Sequence, residues 1–262
     1  MLDRIDINCD MGESYGVYRL GRDPEVMEYI SSANIACGWH AGDPMVMDFT
    51  VRLAKEKGVA VGAHPGYPDL MGFGRRRMDL SFTEIENYVI YQIGALYAFT
   101  KAHGIPLRHV KAHGALGNLA FADLEASKAF ARAVLRFSKE LILVVYTGTV
   151  MVQAAKEVGV RFVEEVYADR VYNPDATLQS RKVPGSVIHD PEKAAHQAVT
   201  MAQHGYVIAH DGTKVKVNPE SICVHGDTPT AVAILQKIRE SLKKACIAVK
   251  PMENQETYSL RS

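Results

Sequence analysis

The strongest constraint on this chain is a recurring unit: a short apolar segment, a polar or glycine-rich corner, then an amphipathic helical stretch. Seven segments fit the first part: RIDIN (4–8), ANIAC (33–37), VAVGA (59–63), RHVKA (108–112), LILVV (141–145), RFVEE (161–165) and SICVH (221–225). Strands that alternate with helices predict a parallel sheet. The helical stretches carry their own punctuation. Asp43-Pro44 reads as an N-cap and first-turn pair opening a helix to about Lys57, with Gly58 just past its end. Ser81 and Glu84 form a capping box, and Ile85, Val89, Ile93 and Leu96 follow on one face until Gly104. Phe130, Val134 and Phe137 mark another helix, and Val232, Leu235, Ile238 and Leu242 a last one. YVIAHDGTKVKVN, between Gly205 and Asn218, predicts a β-hairpin turning on Asp211-Gly212, an excursion from the rhythm.

Side chains alternate faces along a strand, so residue parity sorts each segment. Ile5 and Ile7 oppose Asp6 and Asn8, and Ile35 opposes Asn34 and Ala36 on a face that leads to Gly38 and His40. Val59 and Val61 oppose Ala60 and Gly62, leading to His64, while Val110 opposes His109 and Lys111, leading to His113. Ile222 and Val224 oppose Cys223 and His225, leading to Asp227. One face is aliphatic and the other small or polar, with the polar groups gathering at the C-terminal ends. That pattern predicts a closed or nearly closed β/α barrel: aliphatics outward under helices, a polar lumen, and a site at the C-terminal mouth. The competing open sheet lacks support, because neither GxGxxG nor GxxxxGK[ST] occurs.

The segment CGWHAGDP (37–44) lies at such a mouth. Gly38 and Gly42 permit close backbone approach, His40 projects from the turn, and Asp43 is a helix cap or a ligand. A single histidine at a strand end is more often structural, and His103, His189, His196 and His204 are read that way. Four imidazoles converging from four strand ends, His40, His64, His113 and His225, are costly to bury without a function. Asp10, Glu13, Asp69, Asp169, Arg170 and Asp227 lie in the same loops.

Composition excludes several classes. Across 262 residues, thirty basic side chains balance thirty acidic ones, so no overall field favours nucleic acid or an anionic membrane. The longest aliphatic run, Leu141–Val145, is too short to span a bilayer. With no apolar leader and four cysteines in no paired spacing, a cytoplasmic protein with reduced thiols is expected. The His–Asp–Lys set suits hydrolysis or proton transfer on a small polar substrate. Two mechanisms fit. A divalent metal held by some of Asp10, His40, His64, His113 and His225 could activate water, or Asp or His could act as base while Lys111 or Arg170 stabilises an oxyanion. No HExxH motif chooses between them.

Six ordered blocks resemble the LamB/YcsF family: DINCDMGESYG (6–16), ANIACGWHAGDP (33–44), GAHPGYPDLMGFGRR (62–76), VKAHGALGN (110–118), EVYADRVYNPDATLQSR (165–181) and ICVHGDTP (222–229). The resemblance runs from about residue 4 to 245. It implies one domain over 1–262, a seven-stranded β/α (TIM-like) barrel of the glycoside hydrolase/deacetylase type. It also implies ATP-dependent opening of the 5-oxoproline lactam to L-glutamate, with ATP as co-substrate (Mg²⁺ accompanying it), and partner B and C subunits. The blocks carry the catalytic candidates Asp10, His64, Lys111, His113, Asp169 and Arg170. The substrate-binding candidates are Asn8, Glu13, His40, Asp43, Arg75, Arg76, Asn118, His225 and Asp227. His64 or His113 is expected as general base and Lys111 as anion stabiliser. Ala112 and Gly117 stand where the family usually shows Pro and Tyr, and Ala176 where Gly is common. The competing readings are a metal-dependent deacetylase or polysaccharide hydrolase on the same barrel, and a non-catalytic carrier of a small acid.

Overall fold

A computed structural model of the chain describes residues 2–226 and 230–252. Six strands pair in chain order and in parallel: β1 (Arg4–Met11), β2 (Ser32–Ala36), β3 (Ala60–His64), β4 (Leu107–Lys111), β5 (Ile142–Tyr146) and β6 (Phe162–Tyr167). The antiparallel hairpin β7 (Tyr206–Ile208) and β8 (Lys214–Lys216) follows, where the Asp211-Gly212 turn predicts it. β9 (Ser221–Cys223) then inserts between β6 and β1 and closes a seven-stranded parallel barrel. An unanticipated short strand, β10 (Ala248–Val249), pairs with Arg4 and Ile5 at the start of β1. β1 runs three residues beyond its expected end at Asn8, because Asn8 to Met11 pair with Ser32 to Ile35 of β2. β9 stops two residues short of His225, its pairing with β1 ending at Asn8–Cys223.

The helices are α1 (Asp23–Val26), α2 (Pro44–Lys57), α3 (Phe82–Ala102), α4 (Gly114–Ala122), α5 (Leu124–Phe137), α6 (Val150–Val158), α7 (Pro191–His204) and α8 (Ala231–Lys244). Asp43 caps α2, accepting from the Met45 and Val46 amides, and Gly58 ends it in the left-handed region at φ 68°. Both halves of the Ser81–Glu84 capping box form at the start of α3.

The alternation of faces holds around the barrel. Ile7, Ile35, Val61, Val110, Leu143, Val166 and Ile222 point outward and are buried in the main core with the helices. Burial of each such side chain contributes about 1.5–3 kcal/mol. The lumen is polar over most of its wall, but Ile142, Val144 and Val163 of β5 and β6 form a separate apolar sector with Met252. No described helix is long and apolar enough to cross a membrane.

Candidate active site at the barrel mouth

The polar lumen is a layered hydrogen-bond network. In the lower layer, the buried Asp6 carboxylate accepts from Ser31 Oγ (2.7 Å), Ser32 Oγ (2.6 Å) and Ser221 Oγ. Above it, Asn8 Nδ2 donates to Glu165 Oε1 (2.9 Å) and Ser221 Oγ (2.7 Å), and Asn34 Nδ2 donates to Asn8 Oδ1 (2.7 Å) and Asp10 Oδ1 (2.9 Å). His109 Nε2 lies 2.8 Å from Asn34 Oδ1. Gly62 makes room for this ring, since a Cβ there would sit 2.1 Å from it.

Lys111 sits at the centre. Its ammonium contacts Glu165 Oε1 (2.9 Å), Asp10 Oδ1 (3.1 Å), Cys223 Sγ (3.1 Å) and Asn8 Oδ1 (3.3 Å), and lies 5.6 Å from the Tyr167 ring centre. Burial works against its charge, but Asp10, Cys223 and Glu165 outweigh that and hold its pKa well above the ordinary value. Burial likewise opposes the Asp10 charge, yet His64 and Lys111 hold that carboxyl well below the usual range. The Lys111 ammonium is thus balanced by the Asp10 and Glu165 carboxylates. Glu165, Asn34 and His109 were not among the site residues expected from the sequence. Parity carried the signal for Glu165, which shares the inward face of β6 with Val163 and Tyr167.

The mouth proper holds His40, His64, His113 and Glu13. A backbone carbonyl can only accept, so His64 Nδ1–H donates to Lys111 O (2.9 Å) and His113 Nε2–H donates to Phe73 O (2.8 Å). The nitrogens left over, His64 Nε2 and His113 Nδ1, face each other at 3.0 Å. Asp10 Oδ2 lies 3.3 Å from His64 Nε2, and Glu13 Oε1 lies 3.6 Å from His113 Nδ1 and 3.4 Å from His40 Nε2. His40 is fully buried, stacks on His113 (3.6 Å between centres, 5° between planes), and neither ring nitrogen has a hydrogen-bond partner among the described residues. Burial lowers the His113 pKa to about 3, reinforced by His64, and puts His40 well below the ordinary value, reinforced by His113 and His64. Both rings are therefore neutral.

The tight backbone around these rings explains the crowding of small residues in CGWHAGDP. Gly42 (φ 76°) lies where a Cβ would come within 2.9 Å of Ala36 O. Gly74 (φ 63°), from the loop opposite, lies where a Cβ would meet His40 Cβ at 2.8 Å. Trp39 turns away and packs on Tyr88 and Tyr91 of α3, while His40 enters the mouth.

A second cluster lies beside the first. Asp169 Oδ2 accepts from the His225 amide (3.0 Å) and contacts His225 Nδ1 (2.8 Å), and the His225 ring stacks on Tyr167. Arg170 is buried, with Nη2 donating to Gln179 O (2.6 Å). Other expected site residues stand apart. Asp43 is engaged as a cap, accepting from Met45 and Val46 and, through Oδ2, from the Gly16 amide (2.6 Å), so ligand binding would compete with these bonds. Arg76 is a bidentate partner of Asp69, exposed on the loop, and Arg75 lies over the Phe73 ring. Asn118 is exposed on α4, outside the cluster, because the helix turns that position to solvent. Asp227 lies outside the described residues. Gly117 and Ala112, the two departures from the family block, are neighbours: a Cβ at Gly117 would meet Ala112 O at 3.2 Å.

A closed β/α barrel with a histidine- and carboxylate-lined mouth defines a class of TIM-like barrel hydrolases. A sequence model of the LamB/YcsF family matches residues 5–257, and the chain belongs to that family. It is 54% identical over 249 residues to the A subunit of 5-oxoprolinase from Thermococcus onnurineus, covering 95% of this chain and 98% of that one. The crystal structure of the lactam utilization protein from Thermus thermophilus is 48% identical and superposes with a TM-score of 0.91, over 95% of this chain and all of that one. A family 4 carbohydrate esterase from Streptomyces lividans shares 11% identity at a TM-score of 0.50, covering 95% of this chain and 93% of that one, which is a likeness of fold alone.

Proposed function

We infer that this protein is the A subunit of an ATP-dependent 5-oxoprolinase, opening the 5-oxoproline lactam to L-glutamate together with B and C subunits. The observation that carries the reading is the mouth itself. An imidazole pair whose unanchored nitrogens face each other adjoins Asp10, in a chain about half identical over nearly its whole length to a protein of that name. A five-membered lactam is a stabilised amide, so hydrolysis benefits from activation. Transfer of the ATP γ-phosphoryl group to the lactam oxygen makes the ring carbon electrophilic. Water then adds there, the ring C–N bond breaks with the nitrogen taking a proton, and the acyl phosphate left behind loses phosphate to a second water.

The residues divide these tasks. Asp10 and the His64–His113 pair take the proton from the attacking water and return one to the ring nitrogen. Arg170 and Arg75 supply positive charge for the substrate carboxylate or the phosphoryl group. The chain has no P-loop sequence, and we assign the ATP step, with its Mg²⁺, to the partners. ATP turnover by this chain, purified without its partners, would refute that division. We take the chain as one barrel domain over 1–262, acting in the cytoplasm.

The deciding experiment is glutamate release from 5-oxoproline by this protein with its B and C partners, with and without ATP. ATP-dependent release is expected. No release from a folded, complete assembly would end the reading.

A further inference from the structure

We propose that the barrel mouth binds one divalent transition-metal ion through His64 Nε2, His113 Nδ1 and Glu13 Oε1, with His40 as a weaker fourth ligand. The inference rests on the ring-opening reading only for what the ion would do there. Its physical basis is the donor set. The rings of His64 and His113 are each anchored through one N–H to a backbone carbonyl, of Lys111 and Phe73. That is the outer bond that fixes the tautomer and aim of metal-bound histidines. It leaves two bare nitrogen lone pairs 3.0 Å apart, which repel unless a cation lies with them.

A proton shared between the two rings would relieve that contact and nothing more. It would leave His40 fully buried with both ring nitrogens lacking a hydrogen-bond partner among the described residues, a costly state for a polar group. A metal ion accounts for the facing lone pairs and offers one His40 nitrogen a partner once the ring turns toward it. The ligand atoms of Glu13, His40, His64 and His113 all lie within 4.8 Å of one another. Their close separations, 3.0 Å (His64–His113), 3.4 Å (His40–Glu13) and 3.6 Å (His113–Glu13), are near the polyhedron edges of about 3.0–3.4 Å that bonds of about 2.1 Å produce.

The chemistry of the set selects the ion. Three imidazoles and one carboxylate suit Zn²⁺, Co²⁺ or a similar metal, whereas Mg²⁺ prefers oxygen ligands. His40 lies parallel to His113, so its lone pair cannot meet the same ion head-on without rotating from the stack. This makes it the weakest of the four. When bound, such an ion would occupy the lone pairs of His64 and His113, leave Asp10 as the proton acceptor, and act as a Lewis acid toward the lactam carbonyl or a water.

The test is equilibrium dialysis of the chelator-treated full chain against Zn²⁺, Co²⁺ or Mg²⁺, with bound metal counted by mass spectrometry. One Zn²⁺ or Co²⁺ per chain is expected, with visible absorption in the Co²⁺ form, and no stoichiometric Mg²⁺. His64→Asn and Glu13→Gln should each weaken Zn²⁺ binding at least about a hundredfold, and His40→Asn by less. His196→Ala, on the exposed face of α7, should bind as the wild type does. Zn²⁺ should raise the melting temperature of the wild type and not of Glu13→Gln, a near-isosteric change that tests the site even where His64→Asn fails to fold. Absence of stoichiometric Zn²⁺ and Co²⁺ in the folded wild type, or undiminished binding in Glu13→Gln, would overturn the proposal. Metal binding without glutamate release would keep the site and remove the ring-opening reading.

Discussion

His64 Nε2 and His113 Nδ1 approach to 3.0 Å while the other nitrogen of each ring is tied to a backbone carbonyl. The pair is therefore held rigidly with its proton-accepting atoms inward, beside the Asp10 carboxylate. His113→Ala should lower ATP-dependent glutamate release by about 10²–10⁴-fold in the assembly with its partners. Circular dichroism should show the barrel still folded. Activity within tenfold of the wild type would remove His113 from the chemistry.

Lys111 neutralises Asp10 and Glu165 inside the barrel. Lys111→Met keeps the aliphatic stem but leaves two buried carboxylates without their cation. Such a loss costs about 3–5 kcal/mol. Guanidinium unfolding should show a destabilisation of that order, and a change below about 1 kcal/mol would mean the pairing behaves like a surface one.

Burial raises the Asp6 carboxyl to about 6 against the hydrogen bonds from Ser221, Ser32 and Ser31. Between the ordinary carboxylate value and about 6, the folded state binds more protons here than the unfolded one. Stability from this group therefore falls as pH rises through that window. Asp23, raised to about 6 by burial, contributes with the same sign. In thermal melts from pH 4 to 7, Asp6→Asn should weaken the decline relative to the wild type. An unchanged slope would show that Asp6 does not titrate in this range.

Ala176 occupies the left-handed region at φ 70°, at a position where a glycine relieves strain. Ala176→Gly should stabilise the protein by about 1 kcal/mol, the left-handed penalty less the added chain entropy. Destabilisation in chemical unfolding would mean that the buried Ala176 methyl, 3.1 Å from where a Cβ on Gly148 would lie, contributes more by packing than its backbone costs.

Local chemistry made much of this molecule legible without a structure. The alternation of Asp6, Asn8 and Asp10 with Ile5, Ile7 and Cys9 names the inward face of β1 wherever the strand sits, because the pleat has period two. The same holds for His109 and Lys111, and the caps at Asp43 and Ser81 act within their own turns. Parity cannot say which groups meet across the lumen. Glu165 of β6 reaches Lys111 of β4 because closure through β9 sets the two across one lumen. Nor can it say that Asp43 is occupied by the Gly16 amide, a contact between two loops far apart in sequence. The tautomers of His64 and His113 depend on the carbonyls of Lys111 and Phe73, which only the folded backbone aims at them. Periodicity and capping act over a few residues and belong to the sequence by itself. Pairing, proton placement and the shape of the mouth depend on distances between strands, which the closed barrel alone decides.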